Sequence, residues 1–341
     1  MSIDDTTAPP AAAPRQQGPP GATLLARFGE AWALLGVTLA LIVGFSLLPS
    51  TADVFPTAAN FQAIVGSQAV LAIVALAALV PLVCEEYDLS VGASLSLGSV
   101  VCAEVMSGGG GLVLAALAGI GAGVVVGFVN GALVVGARVN AVIVTLGTSI
   151  AIVGVVNGIT KGQTITDGVS RSLIDFGSGL WLGIPRIVFA VVLVALLVHF
   201  VLVYTAFGRH LYMLGSNRTA ARLAGLRERR LLIGAFVAAG ALSGLAGVLQ
   251  VGRSGGADPS VGDTFTLLAL AASFLSAAAI RPGRYNVAGT LTAIAFLAVL
   301  NGGLNLAGTA PWITDVVNGA ALVAGVGLAA FLGRRRTAGL A

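Results

Sequence analysis

The sequence predicts an all-α, polytopic membrane protein of about ten transmembrane helices that carry an inverted-topology repeat. Three observations support this prediction. Of the 341 residues, 57% are hydrophobic and 9% charged, with a mean hydropathy of +0.99, more apolar material than a soluble core needs. Apolar runs of about 16 to 24 residues, long enough for a hydrocarbon layer roughly 30 Å thick, recur along the chain. Finally, a short motif occurs twice, about 170 residues apart, in segments of opposite expected direction. The runs lack the in-out alternation of barrel strands, which leaves helices as the spanning form.

At the start of the chain, residues 1–28, including "DDTTAPPAAAPRQQGPPGA", are rich in Pro, Ala and Gly and are expected to form a disordered tail. The run after it has an acidic, proline-rich leader and no small-residue cleavage site, so it reads as a span and not as a cleavable signal. The membrane domain is expected over 29–335 and a short second tail over 336–341. Within the domain, spans are expected near 31–48, 61–80, 91–107, 112–135 and 140–159, then 187–204, 231–251, 265–280, 287–306 and 312–332. The eighth run is short and the third and fourth touch through "SGGGG", so the count holds to within one.

Basic residues orient the spans. With the N-terminus in the cytoplasm, fourteen Lys and Arg fall inside, including Arg138, the loop Arg209 to Arg230, Arg281 and Arg284. Four fall outside: Lys161, Arg171, Arg186 and Arg253. This is the positive-inside asymmetry, with both termini cytoplasmic. No basic face interleaved with aromatics accompanies it, so the net charge of +4 does not point to nucleic acid.

The repeated motif is Asp88-x-Ser90-Val91-Gly92 in "LVCEEYDLSVGAS", recurring as Asp258-x-Ser260-Val261-Gly262 in "GGADPSVGDT". The first follows span two and the second span seven, which places them on opposite sides of the membrane. A second echo, "VNGAL" (Val129 to Leu133) and "LNGGL" (Leu300 to Leu304), keeps nearly the same offset. Repeats are therefore expected over about 61–160 and 231–332. Span four also carries Gly119, Gly123, Gly127 and Gly131 on one helical face. That face suits either tight packing or a sliding surface.

Enzyme signals are weak. "GRSGG" (Gly252 to Gly256) matches G-x-S-x-G, but no His follows His210 to complete a triad. No GxxxxGK[ST] loop is present, so ATP hydrolysis in the P-loop manner requires another chain. No metal set is apparent, and Cys84 and Cys102 read as small core residues. Seven of the ten expected spans lack ionisable groups, and Glu104, His199 and Asp315 lie near span ends. This argues against an ion-coupled carrier, although sodium sites built from carbonyls would escape the test.

Three groups of residues are candidates for function. The cluster Glu85, Glu86 and Asp88, with Ser90, can cap the third span, gate or contact a partner, or touch solute. Asn130, Asn140, Thr145, Asn301 and Asn305 are uncharged polar groups in or beside apolar runs, suited either to passing a polyhydroxy solute or to bonding between helices. In the loop Tyr204 to Gly234, Ser216 or Asn217 can cap a short helix. Ala220, Ala221, Leu223 and Leu226 give that helix an apolar face among arginines.

Four stretches together resemble the membrane-spanning permeases of bacterial ABC importers for ribose, xylose and related sugars. They are "EEYDLSVGASLSLGSV", "NAVIVTLGTSIAIVGVVNGITKGQTI", "TAFGRHLYMLGSNRTAARLAGL" and "LAVLNGGLNLAGTAPWITDVVNGAALV". The chain departs from that family at Glu85-Glu86, where a Gly or Gly-Glu pair is common, and at "LSAAAIRPGR" (Leu275 to Arg284), where a glycine-rich turn is usual. The resemblance implies a permease domain with no cofactor of its own and no catalytic residue. ATP and Mg would sit on a partner ATPase, a periplasmic or lipid-anchored binding protein would deliver the sugar, and a second permease subunit, a copy of this chain in a homodimer or else a paralogue, would complete the pathway. It also implies that Gly215, Ser216, Asn217, Ala220, Ala221, Leu223, Gly225 and Leu226 form the loop that couples to the ATPase. The alternatives that stay open on sequence are an ion-coupled secondary carrier and a non-transporting scaffold.

Overall fold

The computed structural model describes residues 22–338. Of the tails expected over 1–28 and 336–341, residues 1–21 and 339–341 lie outside them. Within the described residues the chain is helical apart from one two-residue hairpin: α1 (Ala22–Leu47), α2 (Ala58–Leu82), α3 (Val91–Ser107), α4 (Leu112–Gly136), α5 (Ala141–Thr160), α6 (Arg171–Ser178), β1 (Leu180–Trp181), β2 (Ile184–Pro185), α7 (Arg186–Tyr204), α8 (Ala206–Ser216), α9 (Arg218–Leu223), α10 (Glu228–Ser254), α11 (Val261–Leu275), α12 (Val287–Leu306) and α13 (Pro311–Ala338), with a 3-10 turn at Ser276–Ala278. α1 therefore begins inside the stretch expected as a tail, and α13 runs into the second one. Among the described residues seven helices are long and apolar enough to cross a membrane, and the apolar segments Trp32–Leu47 and Val91–Ser107 are shorter.

Local chemistry starts the helices where the sequence changes character. Thr57, Asn140 and Asn286 cap α2, α5 and α12, each side-chain oxygen accepting a backbone N–H of the first turn. β1 and β2 pair antiparallel across Leu182 and Gly183, both left-handed, as a two-residue hairpin turn requires. α6 and this hairpin form the end of the bundle opposite the arginine-rich loop. Gln62 of α2 donates to Gly183 O at 3.0 Å, and Arg253 of α10 donates to Gly66 O at 2.7 Å.

α2 and α10 are the central helices, and the other spans surround them. α10 packs along α4 and α3, while α2 packs along α11 and α12. The α4–α10 seam is made by the four-spaced glycines. A Cβ on Gly123 would overlap the Gly240 carbonyl oxygen, one on Gly127 the Phe236 carbonyl oxygen, and Gly98, Gly119 and Gly244 meet where α3 joins the seam. Of the two uses open to that glycine face, the structure shows close antiparallel packing.

The two D-x-S-V-G motifs enter from opposite ends of the bundle, but their glycines meet inside it: a Cβ on Gly92 would overlap Gly262 O, and one on Gly262 would overlap Gly92 O. Ser96 Oγ of α3 accepts the Gly262 N–H at 2.9 Å, joining the two helix starts. α3 and α11 are thus short because each begins within the protein, where only glycine lets two backbones touch. The eighth span, expected near 265–280, runs from Val261 through Leu275 into the 3-10 turn at Ser276–Ala278, a few residues earlier than expected.

Replacing Gly123 by Val should split the α4–α10 seam and cost about 1–3 kcal/mol or more by overpacking. Gly121→Val, at a position where a Cβ meets nothing within 4 Å, should not. Thermal unfolding of the two variants in the same detergent checks the contrast.

Candidate functional site

The site lies at the arginine-rich end, where the turn after α2, the α8–α9 segment and the start of α10 converge. α2 ends in a two-bond turn: Glu86 N–H donates to Pro81 O at 3.1 Å and Glu85 N–H to Leu82 O at 2.9 Å. That closure puts Glu85 in the left-handed region, φ 62°, where glycine is favoured. The equivalent position before the second motif is Gly255, φ 73°. Burial pushes the Cys84 thiol up to about 12, which keeps it protonated and unreactive at neutral pH.

Asp88 is buried and organises the next step. Its Oδ1 accepts from Ser90 N at 2.9 Å and Ser90 Oγ at 2.6 Å. Ser90 Oγ in turn accepts from Asn130 Nδ2 of α4 at 2.8 Å. The Leu89 N–H donates to Thr145 Oγ1 of α5 at 3.1 Å, and that hydroxyl donates to Ala141 O at 2.8 Å. Four of the sequence candidates, Asp88, Ser90, Asn130 and Thr145, are therefore brought together in one buried network that ties the α2–α3 turn to α4 and α5. Ser90 makes no side-chain cap to α3; the carboxylate holds the turn instead. Asp258 and Ser260 repeat the bond pair at 2.8 Å each, but are exposed.

The remaining polar candidates lie elsewhere. Asn140 caps α5, accepting from Val142 N at 2.8 Å, and borders a cavity of about 820 Å³ beside Arg138, Arg218 and Glu228. Asn305 borders a separate cavity of about 780 Å³ at the hairpin end, with Asn60 and Arg253. Asn301 is half-buried, and its Oδ1 has no hydrogen-bond partner among the described residues.

The loop reading divides between its two cap candidates. Asn217 Oδ1 accepts from Ala220 N at 2.9 Å and caps α9, whereas Ser216 is the last residue of α8. Gly225, φ 79°, ends α9: its N–H donates to Arg222 O at 2.9 Å and that of Leu226 to Ala221 O at 3.1 Å. Ala221 is buried and Leu226 packs on the core, while Leu223 is 86% exposed and Ala220 is exposed beside it. Gly215 lies against the Val83 carbonyl, too close for a side chain.

Sequence reasoning missed the ion pairs of this loop. Arg218 donates to Glu86 Oε1 at 2.5 Å and to Cys84 O at 3.3 Å, and Glu228 holds Arg222 at 2.6 Å while lying 3.7 Å from Arg218. The partners are about 130 residues apart or across a helix boundary, so no local pattern announces them. α8 was missed as well, although Thr205 caps it. Its neighbour loop is fastened to it by Tyr212, which donates to Tyr285 O at 2.7 Å under the Arg284 guanidinium.

The comparisons with known proteins identify the family of the chain. The family model described as "Branched-chain amino acid transport system / permease component" matches residues 60–326. The chain belongs to this permease family. The permease is 31% identical over 304 residues to the ribose import permease protein of Escherichia coli (strain K12), covering 88% of this chain and 94% of that protein. It is 33% identical over 252 residues to the ribose import permease protein of Bacillus subtilis (strain 168), covering 74% and 77%. It is also similar to the L-arabinose ABC transporter permease protein of Azospirillum brasilense, 28% identical over 301 residues, covering 87% and 88%. No solved structure matches the permease. It is a multi-pass transport component, and any ATP hydrolysis that drives it belongs to another subunit.

Glu85→Gly should relieve the left-handed strain and raise stability by about 1 kcal/mol, read as a higher denaturation midpoint in mixed micelles. Asn130→Leu should lower it by about 1–3 kcal/mol, because Ser90 loses its donor from α4.

Proposed function

We propose that this permease is the membrane-spanning subunit of an ATP-driven importer and forms the pathway for a small sugar or polyol handed over by a separate binding protein. Its relatives' names, ribose and L-arabinose permeases, supply the substrate class. The observation that carries the reading is the exposed apolar face of α9, Leu223 and Ala220, set among arginines on a segment fixed at both ends by Asn217 and Gly225. A rigid, exposed apolar helix at that end suits docking into a groove of a cytoplasmic ATPase pair, which would carry ATP and Mg.

The arginine-rich end is then cytoplasmic, as are both termini, and the membrane is the bacterial cytoplasmic membrane. The reciprocal packing of α2 on α11 and α12 and of α10 on α3 and α4 supports an inverted repeat, as do the matched turns at Asp88 and Asp258. In such repeats, helices that begin inside the bundle place their N-termini near the solute path. Closure of the ATPase pair would push α9 and rock the two repeats about the Gly92–Gly262 contact. Two copies of the chain, pairing through lipid-facing apolar surface, would complete the transporter.

With the cognate ATPase and binding protein in proteoliposomes, Leu223→Glu should lower ATPase recovery and sugar uptake at least about tenfold while the chain stays monodisperse. Uptake that follows an ion gradient and ignores ATP would overturn the importer reading.

A further inference from the structure

We propose that the Glu86–Arg218 ion pair is the link through which movement of the docking helix α9 reaches the start of α3, making both residues positioning residues for transport. The proposal rests on the reading of α9 as the ATPase-docking helix. Arg218 is the first residue of α9, directly after its cap, and its guanidinium reaches both the Glu86 carboxylate at 2.5 Å and the Cys84 carbonyl at 3.3 Å. The Glu86 side chain is 11% exposed and that of Arg218 39%, so the pair is shielded from solvent on its acid side. On the other flank Glu228 holds Arg222 and approaches Arg218, so alternating charges clamp α9 between the α2–α3 turn and the start of α10.

The chain just beyond Glu86 is stiff. Two residues on, Asp88 binds Ser90, Ser90 binds Asn130 of α4, and Leu89 binds Thr145 of α5. α3 then starts and meets α11 at Gly92 and Gly262. A displacement of Arg218 is thus passed to a short, hydrogen-bonded segment that ends at the contact between the two short helices α3 and α11. The apolar seat of α9, through Ala221 and Leu226, belongs to the same buried cluster as Leu82, Val83 and Cys84 and holds the helix in place, whereas the ion pair grips the turn by the Glu86 carboxylate. The second motif has no such acid: the residue two before Asp258 is Gly256, and that copy lies at the opposite end, away from the docking helix. The carboxylate occurs only where there is a docking helix to hold.

The test uses the complete importer, with ATPase and binding protein, and compares Glu86→Gln, Arg218→Gln and the double variant. ATPase co-purification, ATP hydrolysis and sugar imported per ATP are measured for each. The expected result is normal ATPase recovery, continued hydrolysis and about a tenfold fall in sugar per ATP in each single variant, with the double no worse than either, as for two residues acting through one interaction. Removing one partner can unseat a shielded pair, so Arg218→Lys, which keeps the charge and should retain at least half of the coupling, gives a second reading if a Gln variant does not fold. An unchanged sugar-to-ATP ratio, losses that multiply in the double variant, or release of the ATPase by the single variants would overturn the proposal while leaving the importer reading intact. Failure of the unaltered permease to retain any ATPase would overturn both.

Discussion

Where α3, α4 and α10 cross, Gly98, Gly119 and Gly244 lie backbone to backbone, and the same absence of a Cβ lets Gly92 meet Gly262. The rest of the structure depends on these contacts. Helices in lipid gain little from hiding apolar side chains from one another, so close backbone approach and a few shared hydrogen bonds must hold them together. The α4–α10 seam brings the two halves together, and the Gly92–Gly262 contact sets where the short helices α3 and α11 begin.

Around that contact the protein spends its few polar groups. Asp88, Ser90, Asn130 and Thr145 bond across α3, α4 and α5, leaving the α2–α3 turn with little freedom of its own. Isolated charges are costly at such depth. Asp88 is matched to a backbone N–H and a hydroxyl, and the charged pairs sit nearer the arginine-rich end. There Glu86 and Glu228 grip the arginines of α9, while Leu223 stays exposed. In this arrangement one ion pair joins the exposed helix α9 to a hydrogen-bonded internal segment.

Much of the fold was legible because lipid imposes a length and an apolar character on every span. The span boundaries near 61–80, 91–107, 112–135 and 287–306 fall within a few residues of α2, α3, α4 and α12. A cap at Ser216 or Asn217 was readable from local chemistry, since a capping side chain satisfies backbone groups within its own turn; that Gly225 ends α9 was shown by the structure. α6 and the hairpin were not, because Leu182-Gly183 is a weak turn signal in a chain with 47 glycines. Glu85 read as one of three acids with an electrostatic role, whereas its backbone occupies a glycine position and its side chain is exposed.

Composition and run length were enough, without coordinates, to establish a polytopic helical membrane protein, because these properties depend on near neighbours in the chain and on the solvent around it; the permease reading and the importance of the loop around α9 came from the resemblance to a known family. The depth at which α3 and α11 begin, the gathering of four scattered polar residues around Asp88, and the Glu86–Arg218 pair were decided only by the tertiary structure. Each joins residues of different helices, and one-dimensional order carries no information about which faces of two helices will meet.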